Sequence, residues 1–283
     1  MIINFLKFII EVPYVRADID DEDSLAPRLQ QKEAHRALDL AVIRLPHISN
    51  FTDFSPLEEH PAMGVRYVDC LERLGTPDLV IIPGTKSTVS DLMWLRQNGL
   101  EAAILKLSGN GVPVLGVCGG YQILGEKLSD PYGVECRGEY RGLGLLPCHT
   151  VFSPQKTRTR KQAAALARPF AGAALDGYEI HMGETDTGGA APFCRFSDGA
   201  LDGAVQGDVF GTYLHGLFDT GELTGKLAAY LAARKGISID TAAAEPRSAY
   251  KQRQYDMLAE AVRASLDMDK IYRVMEEYEH GGE

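Results

Sequence analysis

Four short aliphatic runs set the pattern of the first half of the chain: LDLAVIRL at 38–45, GVRYVDC at 64–70, PDLVIIPG at 77–84 and VPVLGVCG at 112–119. Near-continuous apolar runs of this length are what strands buried on both faces of a parallel sheet require. Between the last two lies STVSDLMWLRQNGLEAAILKLSGNG at 87–111, with apolar positions at helical spacing and Ser87 or Thr88 as N-cap. Strands alternating with helical crossovers predict an α/β fold, a mostly parallel open sheet with helices on both faces. After about residue 141 the texture changes to glycine-rich, β-like segments: GLGLLPCHTVF, LDGYEIHMGETD, PFCRFSDG and LDGAVQGDVFGTYLHGLF. These read as shorter strands joined by Asp-Gly turns. Two helical stretches close the chain, 221–236 and 246–279, the second with an apolar stripe interrupted near Asp267.

The chain's flanks and charge refine this picture. MIINFLKFII at 1–10 is too short an apolar run to span a bilayer and lacks a signal-peptide cleavage site. It reads as a buried strand or the start of a truncated chain, and the acidic ADIDDEDS at 17–24 as a linker or surface turn. The expected organisation is a remnant of a linker or preceding domain at 1–36, the main domain at 37–235, and a helical extension at 236–283 packing on it. A net charge of −10 argues against a nucleic-acid binder, and no segment reads as a membrane anchor. KTRTRK at 156–161 is the local exception and reads as a solvated, mobile loop. Five scattered cysteines without a CxxC pair suit free thiols in a reducing cytoplasm. Cys148 and His149 are adjacent, but no spacing completes a metal site, and none is expected.

The chemistry concentrates at GVCGGYQ. A strand that ends in Gly-x-Cys-Gly-Gly and runs into a helix has the layout of a nucleophile elbow. Gly116, Gly119 and Gly120 remove bulk from the tight turn, and the helix N-terminus favours a thiolate at Cys118. Read locally, Cys118 is a nucleophile or a buried packing residue. A thiolate nucleophile needs a base. His215, at the end of DVFGTYLH, is placed to come off a neighbouring strand toward Cys118; His181, in YEIHMGET, is its competitor.

GVPVLGVCGGYQILG, GYEIHMGET and GTYLHGLFD, in this order, resemble the class I (triad) glutamine amidotransferases, which are flavodoxin-like. More narrowly, with LAVIRLPHISNFTDFSPL and DLVIIPGTKSTVSDLMWLR, they resemble the glutaminase domains of the cobyric acid synthase group. The resemblance runs from about residue 12 to near the end of the chain. It implies that Cys118 attacks the glutamine amide and that His215 serves as the base. It further implies an oxyanion hole from backbone N–H groups at Gly119 and around Gly84 and Thr85. Gln122 is implied to shape the glutamine pocket and His181 to line it. The acceptor implied is a corrin, adenosylcobyrinic acid a,c-diamide, whose side-chain carboxylates are amidated.

This sequence departs from the triad pattern in one place. Many triad enzymes carry a glutamate two residues after the histidine, and here that position is Leu217, an absence the cobyric acid synthase group shares. Asp219 is then the candidate for orienting His215. The resemblance also implies ATP and Mg2+ to activate the acceptor, held in an N-terminal synthetase domain or separate subunit. PGTKST does not supply a phosphate loop, since Thr85 stands where the glycine before the lysine is needed. The chain therefore reads as the C-terminal portion of a longer enzyme or one product of a split pair. The rival readings are the glutaminase of a cobyrinic acid a,c-diamide synthase or another amidoligase, a different cysteine hydrolase, and an inert docking module.

Overall fold

The computed structural model describes residues 13–15, 36–239 and 245–280. The expectations for 1–10 and for 17–24 lie outside those residues. Described residues up to Arg247, beginning at residue 36, belong to one compact unit; those from Ser248 onward belong to a second, with 13–15.

The aliphatic runs become strands as their pattern predicts. In order come β1 (Leu38–Ile43), a 3₁₀ turn at Phe51–Phe54, α1 (Ser55–Glu59), β2 (Met63–Val68), α2 (Leu71–Leu74) and β3 (Leu79–Ile82). Residues 87–111 form two helices, α3 (Thr88–Gln97) and α4 (Leu100–Gly109), broken at Gly99, whose positive φ of 72° suits glycine. Then follow β4 (Val114–Val117) and α5 (Gly119–Leu124). Every residue of β3 and of β4 is buried, as a strand covered on both faces requires.

The second half builds another sheet from β5 (Lys127–Asp130), β6 (Gly138–Arg141), β7 (His149–Ala165), β8 (Ala174–Asp186), β9 (Cys194–Phe196) and β10 (Leu201–Asp202). The chain then returns to the first sheet with β11 (Ala204–Gln206) and β12 (Val209–Thr212), and ends this unit with β13 (Leu214–His215) and α6 (Glu222–Lys235). Among the described residues the first sheet has the order β11-β12-β4-β3-β1-β2, parallel except at β11. The second has seven strands, with β8 pairing both β7 and β13.

Two expectations are corrected here. KTRTRK is not a loop: it is the middle of β7, in register with β8 from Lys156↔Met182 to Lys161↔Gly177. Its alternation of basic residues with threonine is itself a period-two strand pattern, polar because the ribbon is solvated. The second-half strands are also not uniformly short, since β7 has 17 residues and β8 has 13. Asp176-Gly177 sits inside β8 instead of at a turn. A Cβ at Gly177 would lie 1.9 Å from the His215 carbonyl oxygen, so the glycine there permits a close backbone approach.

The second unit contains α7 (Arg247–Ser265), from its second residue onward, and α8 (Met268–His280), separated where the apolar stripe breaks. The Asp267 carboxylate there accepts the Lys270 N–H at 3.0 Å, a cap for the second helix.

Candidate active site

The site grows from the carboxyl edge of the first sheet. Strand β4 ends at Val117, α5 starts at Gly119, and Cys118 makes the whole reversal with φ 53° and ψ −110°. A non-glycine residue in this region is strained, and the surroundings must hold it there. The neighbouring glycines explain how. A Cβ at Gly120 would sit 1.9 Å from the Ile82 carbonyl oxygen, and one at Gly116 would meet Leu124 at 2.6 Å and the Gly120 carbonyl at 2.7 Å. The backbone of α5 therefore packs directly on the end of β3. Cys118 is 7% exposed, its N–H is bonded to Thr212 O at 2.8 Å, and its sulfur lies at the wall of a cleft of about 370 Å³.

His215 arrives beside it through strand pairing. Strand β12 runs parallel to β4 with Thr212 opposite Val117, so the segment that follows reaches the same edge as Cys118. His215 is fully buried, with Tyr178 stacked on its ring at 5.2 Å. Its Nδ1 lies 2.6 Å from Asp53 Oδ2, and the other carboxylate oxygen accepts the Gly216 N–H at 3.1 Å. The Asn50 amide lies 3.2 Å from Nε2. Burial by itself lowers the imidazole pKa, but the Asp53 carboxylate and the hydrogen bond and charge of Cys118 outweigh it and push the value up to about 10.

Asp53 thus occupies the orienting position for which Asp219 is the sequence candidate. The Asp219 N–H is bonded to Gly216 O, and its carbonyl accepts the Arg247 N–H. Asp53 belongs to the 3₁₀ turn after β1, and both Asn50 and Asp53 escape sequence reasoning because they lie over 160 positions from His215. The available signal is local. In SNFTDFSPL an acidic residue sits between two phenylalanines just after a buried strand, where open α/β sheets gather functional groups.

Of the remaining candidates, Gln122, His181, Gly119 and Thr85 line the cleft with Cys118, and Gly84 does not. Gln122 donates through Nε2 to Met182 O and to the Tyr213 hydroxyl, both at 3.2 Å, while Thr88 donates to its Oε1 at 3.1 Å. His181 stacks on the Tyr213 ring at 3.8 Å and donates from Nδ1 to Gly183 O at 3.1 Å. Its pKa is lowered by burial and by the charge of His215, against the pull of the Gly183 carbonyl, which leaves a neutral ring in the wall. Gly119 packs on Thr85: a Cβ there would be 2.6 Å from Thr85 Cγ2 and 3.2 Å from Thr85 N. The Thr85 hydroxyl donates to buried Asp91 at 2.5 Å, which pins the 84–86 loop against the elbow. Gly84 faces the imidazole, since a Cβ there would stand 3.0 Å from His215 Cε1. All five cysteines are free thiols, and among the described residues no three His, Cys, Asp or Glu side chains gather as a metal site.

A parallel sheet with a strained cysteine elbow, and a histidine delivered by the next strand, defines the glutamine amidotransferase class of fold. Two solved structures share it: PurLQS from Thermotoga maritima (TM-score 0.53, 17% identity, 69% of this chain and 99% of that one) and a glutamine amidotransferase (TM-score 0.51, 18% identity, 70% and 99%). Residues 39–223 match the CobB/CobQ-like glutamine amidotransferase domain, and the chain belongs to that family. Similar curated proteins include a cobyric acid synthase of Ruminiclostridium cellulolyticum, 46% identical over 94% of this chain and 54% of its own length. One from Yersinia enterocolitica is 42% identical, over 95% of this chain and 56% of its own length. The chain spans about half the length of these curated relatives.

Proposed function

We propose that this chain is the glutaminase portion of an ATP-dependent amidoligase of corrin biosynthesis, releasing ammonia from glutamine for a synthetase domain or subunit. The observation that carries the reading is the pairing at the sheet edge: Cys118 on a strained elbow and, beside it, a buried His215 held by Asp53. The Cys118 thiol gives its proton to His215 Nε2 and the sulfur attacks the glutamine amide carbon. As the C–N bond breaks, His215 returns the proton to the leaving nitrogen, and ammonia departs from a γ-glutamyl thioester. Water, deprotonated by the same imidazole, then cleaves the thioester to glutamate. Asp53 keeps the ring oriented and stabilises its charged form throughout. N–H groups of Gly119 and of the Gly84–Thr85 segment take the oxyanion, where water-poor surroundings make such bonds count most.

The acceptor reading rests on the relatives, named cobyric acid synthases, and so does the partner, since those proteins are about twice as long. ATP and Mg2+ would serve the synthetase. No step above passes through them. The reading is tested by glutamine-dependent ammonia release in the presence of a cobyric acid synthase N-terminal half. We expect release with this chain and none with Cys118→Ser; equal release by the variant overturns the assignment.

A further inference from the structure

The chain changes sheets between Thr212 and Leu214. Strand β12 pairs with β4 as far as Thr212↔Val117, and β13 pairs with β8 through Leu214↔Glu179 and His215↔Tyr178. Backbone N–H groups at such a hand-over lie outside both ladders, and buried ones need partners of another kind. Here a single carboxylate supplies them. Asp202, at the end of β10, accepts the Thr212 hydroxyl through Oδ2. It also accepts the Tyr213 N–H through both oxygens, at 3.3 and 3.2 Å. The Thr212 hydroxyl oxygen in turn accepts the Leu214 N–H at 3.1 Å. Thr212 is fully buried and Asp202 nearly so.

Asp202 takes no part in the chemistry above, and a buried carboxyl is costly to keep. Burial pushes its pKa up, against hydrogen bonds from Thr212 and from the Tyr213, Gly203 and Leu214 N–H groups. Its own place is fixed by close packing. A Cβ at the next residue, Gly203, would lie 2.2 Å from Gly211 O and 2.7 Å from Phe193 Cβ, so the turn after β10 rests directly on β12. What the hand-over carries is the site. Thr212 O accepts the Cys118 N–H at 2.8 Å, and His215 follows three residues later. Through Thr212, one carboxylate is therefore tied both to the strained elbow and to the segment that delivers the base.

We infer that Asp202 is a positioning residue for the reaction: acting through Thr212 and the Tyr213 N–H, it holds His215 in its approach to Cys118. The inference rests on the glutaminase reading above. A carboxylate that only filled the core would contribute to stability alone. A positioning residue also sets how fast bound substrate reacts, because small misplacements of reacting groups are costly.

The readout is labelling of Cys118 by a diazo-ketone analogue of glutamine at varied reagent, in the full chain with a cobyric acid synthase N-terminal half present. Denaturant unfolding of each variant gives its folded fraction. Thr212→Val keeps the side-chain shape and removes the hydroxyl. Its maximal labelling rate is expected to fall by about 10-fold or more, with the half-saturating reagent concentration changed by less than about 3-fold. Thr212→Ser keeps the hydroxyl and is expected to retain most of the parent rate. Asp202→Asn, with one acceptor oxygen where the carboxylate has two, is expected to lower the maximal rate as well. A parent-level maximal rate in folded Thr212→Val or Asp202→Asn, or a loss that Thr212→Ser shares in full, overturns the inference while leaving Cys118 as the nucleophile. If the parent takes no label on Cys118, the glutaminase reading falls and the inference with it.

Discussion

At the scale of single residues, the site depends on one contact that spans the sheet edge, Asp53 to His215. Against burial, the carboxylate and Cys118 together raise the imidazole pKa to about 10, and removing the carboxylate has a definite sign. In Asp53→Asn the His215 titration, followed by NMR, is expected to fall by about one pH unit or more. Ammonia release should drop by about 10²-fold or more, since an unoriented ring is a poor base. Cys118 and His215 were legible from the sequence because each sits in a local frame, a Gly-rich turn and a strand end. Asp53 was not, because its role exists only when the turn after β1 meets the end of β12. The elbow glycines make a second test. Gly120→Ala would drive a methyl into Ile82 O, and we expect destabilisation of at least about 1–3 kcal/mol in denaturant unfolding.

At the scale of elements, the four aliphatic runs gave up their strands readily, since continuous apolarity and burial on two faces are the same fact. The basic stretch at 156–161 did not. Charge suggested a loop, whereas the alternation Lys-Thr-Arg-Thr-Arg-Lys was the strand signal, and pairing with β8 decided the outcome. The ribbon matters for the site because β8 supplies Ile180, His181 and Met182 to the cleft and pairs with β13 through Tyr178↔His215. Tyr213, between β12 and β13, braces both Gln122 and His181. Tyr213→Phe keeps the ring stack but removes the hydroxyl from Gln122 and Thr185. The expected result is a glutamine KM raised by about 3- to 10-fold with kcat changed much less, read from ammonia release at varied glutamine.

At the scale of the whole molecule, the His215 shift becomes a pH dependence of folding. A histidine whose folded pKa lies above its unfolded value stabilises fully below about 6.5. That contribution is lost as pH rises through the folded value of about 10. Denaturant unfolding at pH 6 and pH 9.5 should therefore show a larger loss for this chain than for Asp53→Asn, in which the shift is reduced. The family and the α/β architecture were readable from three ordered motifs, and the match over residues 39–223 agrees with them. The proposed acceptor and synthetase partner were not legible in the folded residues, because they rest on curated relatives about twice the length of this chain. The proposed function stands on Cys118 as the nucleophile for the glutamine side chain. A diazo-ketone analogue of glutamine, followed by peptide mass spectrometry in the presence of the synthetase half, tests it most directly. One covalent adduct is expected, on Cys118, suppressed by excess glutamine and slowed in Asp53→Asn; an unmodified Cys118, or equal labelling of all five thiols, would overturn the assignment.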